Sequence, residues 1–224
     1  MPGSEADFGV VTGPALGDAP VAIVAGGRSL DGFDMSRLNG PWHVVAVKGS
    51  IFDLPFASCG VGLDWARLIE WREQLEAAPF PIYWGVAGAK WLSDGFPLGP
   101  NVTLLRKTGD YGFSKDPALI HGGGTSGFCA LSLAVMLGAR RIVLFGYDYR
   151  LHERMHHNDA HYREVRHQRS EYWRNWARSY SNVAPQLAAL GVEVVNASAQ
   201  SEITAFPRCD LETALQHLAG LRST

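Results

Sequence analysis

Two glycine-rich turns and one histidine-rich stretch hold the residue types in this sequence that could do chemistry. Gly26-Gly27-Arg28-Ser29 lets a backbone approach a ligand closely, and Arg28 offers a guanidinium fork that matches a phosphate. It is not a GxGxxG fingerprint, and a plain tight turn reads the same way. The segment from His121 to Gly127 carries a stronger signal. Glycines at 122, 123, 124 and 127 remove side-chain bulk where helix N–H groups and the hydroxyls of Thr125 and Ser126 could converge on a phosphate or a sugar. It lacks a P-loop lysine, so ATP hydrolysis is not implied. A flexible loop ending in an ordinary cap is the plainer alternative.

Five of the eight histidines, His152, His156, His157, His161 and His167, surround Asn158-Asp159. His157 and His161 have the i,i+4 spacing that binds a metal on a helix, but the intervening residues are not those of an HExxH zincin. A histidine acting as general base is the preferred chemical reading, against a solvated polar loop. Asp148 and Arg150 stand just before this stretch. Asp148 could orient a sugar hydroxyl or a metal, or cap the next turn. Trp173, Trp176 and Tyr180 lie at helical spacing and are expected to pack in a core or against another subunit, which leaves a homo-oligomer open; no ligand is assigned to them.

These residues need elements to position them, and the apolar runs supply candidates. Strands are expected over Val21–Ala25, His43–Val47, Gly60–Leu63, Pro81–Val86, Asn101–Leu105, Arg141–Phe145 and Val192–Val195. Helices are expected from Trp65 to Ala77, from Phe128 to Leu137 with Thr125 or Ser126 as N-cap, from Ser170 to Leu190, and from Asp210 to Leu221. Residues 106–120 resist assignment. Strand and helix alternate, which predicts an α/β, Rossmann-like fold: a mostly parallel sheet flanked by helices in a single domain. In such a sheet ligands bind outside the carboxyl ends of the strands, near the point where strand order reverses. The residues that follow the strands are therefore the site candidates: Gly26, Gly27, Arg28, Ser29, Lys48, Asp64, Asp148 and Arg150.

Composition bounds the rest. With 224 residues, 46% hydrophobic and 19% charged, the chain can bury a sizeable core as one domain over residues 20–224, preceded by a loose, glycine- and proline-rich arm over residues 1–19. A net charge of -2 gives no global basic field for nucleic acid. Three widely spaced cysteines form no CxxC pair and suit a reducing compartment, and no apolar run is long enough to span a membrane, so a cytoplasmic location is expected.

Several segments, taken in order, resemble one family group: the bacterial sialyltransferase-like proteins and the related 6-hydroxymethylpterin diphosphokinase-like domains, which also occur in phage genomes. The matching pieces are Val21–Leu30 with Phe33–Leu38, Thr125-Ser126-Gly127 with its helix, Arg141–Asp148, His157–Tyr162 and Val192–Ser198; together they span most of residues 20–208. The resemblance implies a Rossmann-like fold and an inverting transfer from a nucleotide-sugar donor, cytidine-monophosphate-linked in the sialyltransferases, without a metal. It implies donor binding by Gly26, Gly27, Ser29, Thr125, Ser126 and Gly127, and His161 or His157 as base on the acceptor hydroxyl. The sequence departs from the family at Arg28, where a proline is usual, and at Lys48, where an asparagine often contacts the nucleotide. A tyrosine that helps the phosphate leave falls at Arg150, and the family's base position falls at Val165.

The leading expectation is thus a nucleotide-sugar-dependent glycosyltransferase-like enzyme, with Arg150 or Lys48 neutralising the leaving group. The alternatives are a diphosphokinase-like phosphotransferase that uses ATP and Mg through Asp64, Asp148 and Asp159, and a non-catalytic phage or virion-associated domain that keeps the fold.

Overall fold

Val21–Val24, His43–Val47 and Arg141–Phe145 are apolar runs in which nearly every residue is buried on both faces. Such strands need cover on two sides and form the middle of a parallel sheet. The computed structural model describes residues 8–87, 98–109, 111–150 and 170–220. Within them the strands are β1 (Val21–Val24), β2 (His43–Val47), β3 (Cys59–Gly62), β4 (Ile82–Val86), β5 (Val102–Thr108), β6 (Leu119–His121), β7 (Arg141–Phe145) and β8 (Glu193–Asn196). They form one sheet in the order β6-β5-β4-β3-β2-β1-β7-β8, parallel at every pairing. The chain walks outward from β1 to β6, then returns to the other side of β1 for β7 and β8. Strand order therefore reverses between β1 and β7. This is an α/β Rossmann-like fold.

The period-two alternation of the strands divides the core in two. Val21, Ile23, Val45 and Val47 face a layer built on α4 (Ser126–Met136) and α5 (Ser170–Ala189). Ala22, Val24, Val44 and Ala46 face the opposite layer, where Leu68 of α2 (Trp65–Glu70), Leu75 of α3 (Arg72–Glu76) and Leu218 of α6 (Leu211–Leu218) pack. A single turn, α1 (Ser50–Asp53), follows β2. Helix α4 is apolar almost all round, and it is buried from Ser126 through Ala134 between the sheet and α5. Among the described residues no helix is long and apolar enough to cross a membrane.

Three local expectations change. The helix expected over Trp65–Ala77 is two helices, because Trp71 leaves helical dihedrals (φ -102°, ψ 12°) as its ring sinks into the core against Phe52. The unassigned region holds the polar end of β5, Arg106 to Thr108, which has no apolar residue to alternate, and the edge strand β6, whose three residues are too few to show the alternation that marks a strand. The described part of the segment read as a loose arm is tied down: Gly9, Val11 and Leu16 donate N–H bonds to Leu104, Pro117 and Leu137 carbonyls at 3.0, 2.9 and 2.9 Å, and Leu16 is buried.

Candidate functional site

The carboxyl end of each central strand turns sharply at the same edge of the sheet. After β1, Gly27 donates its N–H to the Gly146 carbonyl beyond β7 at 3.0 Å. The two turns cross so closely that a Cβ on Gly27 would stand 2.3 Å from the Gly146 oxygen, and Gly146 itself has φ 70°. Gly26, one residue earlier, has open space where a Cβ would be. Beyond β2 and β7, Lys48 (φ 53°) and Tyr149 (φ 50°) hold left-handed backbone, which costs a non-glycine residue about 1 kcal/mol or more and gathers at functional sites.

Around this crossing lies a cavity of about 290 Å³. Gly26, Lys48, Asp64, Lys107 and residues 124–127 line it, with Asp148 and Tyr149 at the β7 end and Trp173 and Trp176 from α5. Helix α4 starts at its wall. Thr125 is the N-cap: its Oγ1 accepts from the Phe128 N–H at 3.1 Å, while Ser126 and Gly127, in the first turn, have no intrahelical acceptor for their N–H groups. The two lysines share this space with the carboxylates of Asp64 and Asp148, so the side-chain charges are matched and the positive end of α4 supplies the surplus that favours an anion.

A hydroxyl chain braces this wall. Thr125 Oγ1 and the Tyr149 hydroxyl are 2.8 Å apart, Tyr149 and Tyr180 hydroxyls are 2.8 Å apart, and Tyr147 donates to the Gly127 carbonyl at 2.9 Å. Burial pushes the Tyr149 phenol up to about 12, so it remains a neutral hydrogen-bonding group at physiological pH. Opposite it, Lys48 and Asp64 form an ion pair. Burial acts to raise Asp64, but the Lys48 charge and hydrogen bond, with Arg67 and Lys107, outweigh it and hold the carboxyl below its usual value. Among the described residues no three His, Cys, Asp or Glu side chains are grouped as a metal set would be.

Comparison of the whole chain with solved structures returns the Maf glycosyltransferase from Magnetospirillum magneticum AMB-1, at a TM-score of 0.57 and 13% sequence identity. The match covers 98% of this chain and 40% of that one. The likeness is one of fold. No family model matches the sequence, and no curated protein matches it.

Of the residues picked out by sequence, the structure brings Gly26, Lys48, Asp64, Thr125, Ser126, Gly127 and Asp148 to one cavity. Gly27 sits under it as the crossing point of two turns. Arg28 does not line it; its guanidinium turns back to Asp31 at 2.7 Å. Ser29 and Arg150 face a neighbouring cavity on the far side of Asp148. Asp148 spans the two, and its Oδ2 accepts the Ser29 N–H at 2.8 Å. His152, His156, His157, His161, His167, Asp159 and Val165 lie outside the described residues.

Sequence reasoning missed Lys107, Tyr149, Trp173 and Trp176. Lys107 was hidden because β5 was expected to stop at Leu105. Tyr149 adjoins Asp148 and could have been found there. The tryptophans, expected to serve packing alone, form one wall of the cavity, with Trp176 Nε1 lying 2.8 Å from where a Gly124 Cβ would stand. Tyr180 is fully buried, as its spacing suggested.

Proposed function

We propose that this protein is a glycosyltransferase that uses a nucleotide-linked sugar donor, with the donor phosphate seated at the start of α4 between Lys48 and Lys107. The observation that carries the reading is the placement of that helix terminus and both lysines in one cavity, at the edge where strand order reverses. The fold likeness to a glycosyltransferase supports it.

In the reaction the acceptor hydroxyl oxygen bonds to the anomeric carbon as the bond from that carbon to the donor phosphate oxygen breaks. The released electron pair stays on the phosphate. Lys48, Lys107 and the N–H groups of Ser126 and Gly127, which have no acceptor within the helix, stabilise that growing charge, which is where electrostatic preorganisation counts most. The acceptor proton passes to a base, for which the sequence offers His161 or His157, and the outcome is inversion at the anomeric carbon. A cytidine-monophosphate-linked sugar is the donor that the resemblance to sialyltransferases favours. Trp173 and Trp176 wall the space in which a ring of the donor would lie.

The test is calorimetric titration with a panel of nucleotides and sugar nucleotides, followed by chromatography of each mixture for released nucleotide. Binding of a cytidine or uridine nucleotide, with release from its sugar conjugate, is expected. Absence of binding across the panel ends the proposal. Binding without any release in the presence of varied acceptors replaces it with a nucleotide-binding domain that has lost catalysis.

A further inference from the structure

The second cavity, of about 470 Å³, lies across Asp148 from the first, between the turn after β1, the end of β7, the segment after β8 and the start of α6. Ser29, Asp148, Arg150, Ser198, Gln200 and Leu211 are among its lining. Asp148 is only 4% exposed, and its Oδ1 has no hydrogen-bond partner among the described residues. The Ser29 Oγ is buried and equally unpartnered. Buried polar atoms are nearly always satisfied, so two beside one cavity mark a place where a ligand supplies the partners.

The charges decide which ligand. Asp210 Oδ1 is committed to the Thr213 N–H at 2.7 Å, and Glu212 is clamped by Arg37 at 2.6 and 2.8 Å. Arg150 stands over the cavity with its Nη1 on Gln200 Oε1 at 2.6 Å. The cavity thus sets Arg150 against the carboxylates of Asp148 and Asp210, which disfavours a phosphate, and Asp148 Oδ1 is the one buried carboxylate oxygen left unpartnered among the described residues, too few ligands for a metal ion. A neutral group that donates to a carboxylate oxygen and exchanges a hydrogen bond with a serine hydroxyl is favoured. Two adjacent hydroxyls on a sugar ring do both, with the ring's carbon face against Leu211 and Ala197.

We propose that this cavity is a sugar-diol subsite read by Asp148 Oδ1 and Ser29 Oγ. The placement of Asp148 in both cavities lets one ligand put a phosphate in the first and a hydroxylated ring in the second. That bridging rests on the transferase reading; the diol recognition does not. The diol belongs either to the nucleotide's ribose or to a sugar bound as a glycoside.

The test uses phosphate-free probes followed by ligand-observed NMR: cytidine and uridine, their 2′,3′-dideoxy counterparts, and methyl glycosides. Wild type is expected to bind at least one diol probe, with the dideoxy form about tenfold or more weaker if ribose is the source, or with a methyl glycoside as competitor if the sugar is. Ser29→Ala removes a hydroxyl on which no hydrogen bond among the described residues depends, and should weaken the diol probe about three- to tenfold. In parallel, pyrophosphate titration reads the first cavity and should be unchanged in Ser29→Ala. Equal binding of ribo- and dideoxynucleosides together with no glycoside binding, or diol binding indifferent to Ser29→Ala, overturns the proposal. Loss of pyrophosphate binding in the wild type strikes the transferase reading alone.

Discussion

At the scale of the residue, Lys48 and Asp64 show how one pair sets the charge offered to a ligand. Each follows a strand, and for that reason each was legible as a candidate. Their pairing was not legible, because it depends on β2 and β3 being neighbours in the register Val47 to Val61. Asp64 is held below the ordinary aspartate value against partial desolvation, so at neutral pH it is ionised and would compete with an incoming phosphate for Lys48. Asp64→Asn should therefore tighten pyrophosphate binding, by about three- to tenfold, the worth of about 1 kcal/mol for a partly exposed pair. Calorimetric titration of the variant beside the wild type measures it; weaker binding would mean that Asp64 positions Lys48 for the anion instead of restraining it. The pH dependence has a definite sign. A depressed carboxylate contributes stability that is complete above its unfolded value and lost as pH falls through its lower folded value, so Asp64→Asn should flatten that part of the acid unfolding curve.

At the scale of the element, the two glycines after β1 look alike in sequence and do different work in the fold. A Cβ on Gly27 would collide with backbone, which cannot step aside as a flexible side chain can, whereas a Cβ on Gly26 meets nothing and would project into cavity space. Gly27→Ala should cost about 3 kcal/mol of stability, as overpacking against fixed atoms does. Gly26→Ala should leave stability within about 0.5 kcal/mol and weaken ligand binding instead. Urea unfolding of both variants separates the two roles, and equal midpoints would show that the turns do not need their close crossing. The same contrast governs what could be read in advance. Turns, caps and the helix start at Thr125 have local signatures and were found. The tryptophan wall was not, because i,i+3 aromatic spacing looks the same whether a helix face meets a core or a cavity, and only the packing of α5 over the residue 122–127 turn distinguishes them.

At the scale of the whole molecule, the sheet has two edges with different duties. Alternating strands and helices made the parallel Rossmann-like sheet legible, since each apolar run needed cover on both faces. Strand order was not legible, because nothing local says that β7 returns beside β1, and that return creates the reversal on which the cavities sit. The two cavities open at the carboxyl edge; the amino edge is where the N-terminal segment is fastened. There Leu16, 1% exposed, packs into the core around α4, its N–H bonded to the Leu137 carbonyl at the far end of that helix, while Arg141 Nη2 holds the Asp18 carbonyl at 2.7 Å. Helix α4 thus has its N-terminus at the first cavity and its C-terminus under the N-terminal segment. If the edges are independent, Leu16→Ala should cost about 3 kcal/mol, as burial-to-cavity substitutions of leucine do, and leave ligand affinity in the folded protein unchanged. Denaturation with a parallel calorimetric titration tests both halves. An unmoved midpoint would mean the segment only rests on the core, and a loss of affinity in still-folded protein would mean that α4 transmits packing from the fastened edge to the site.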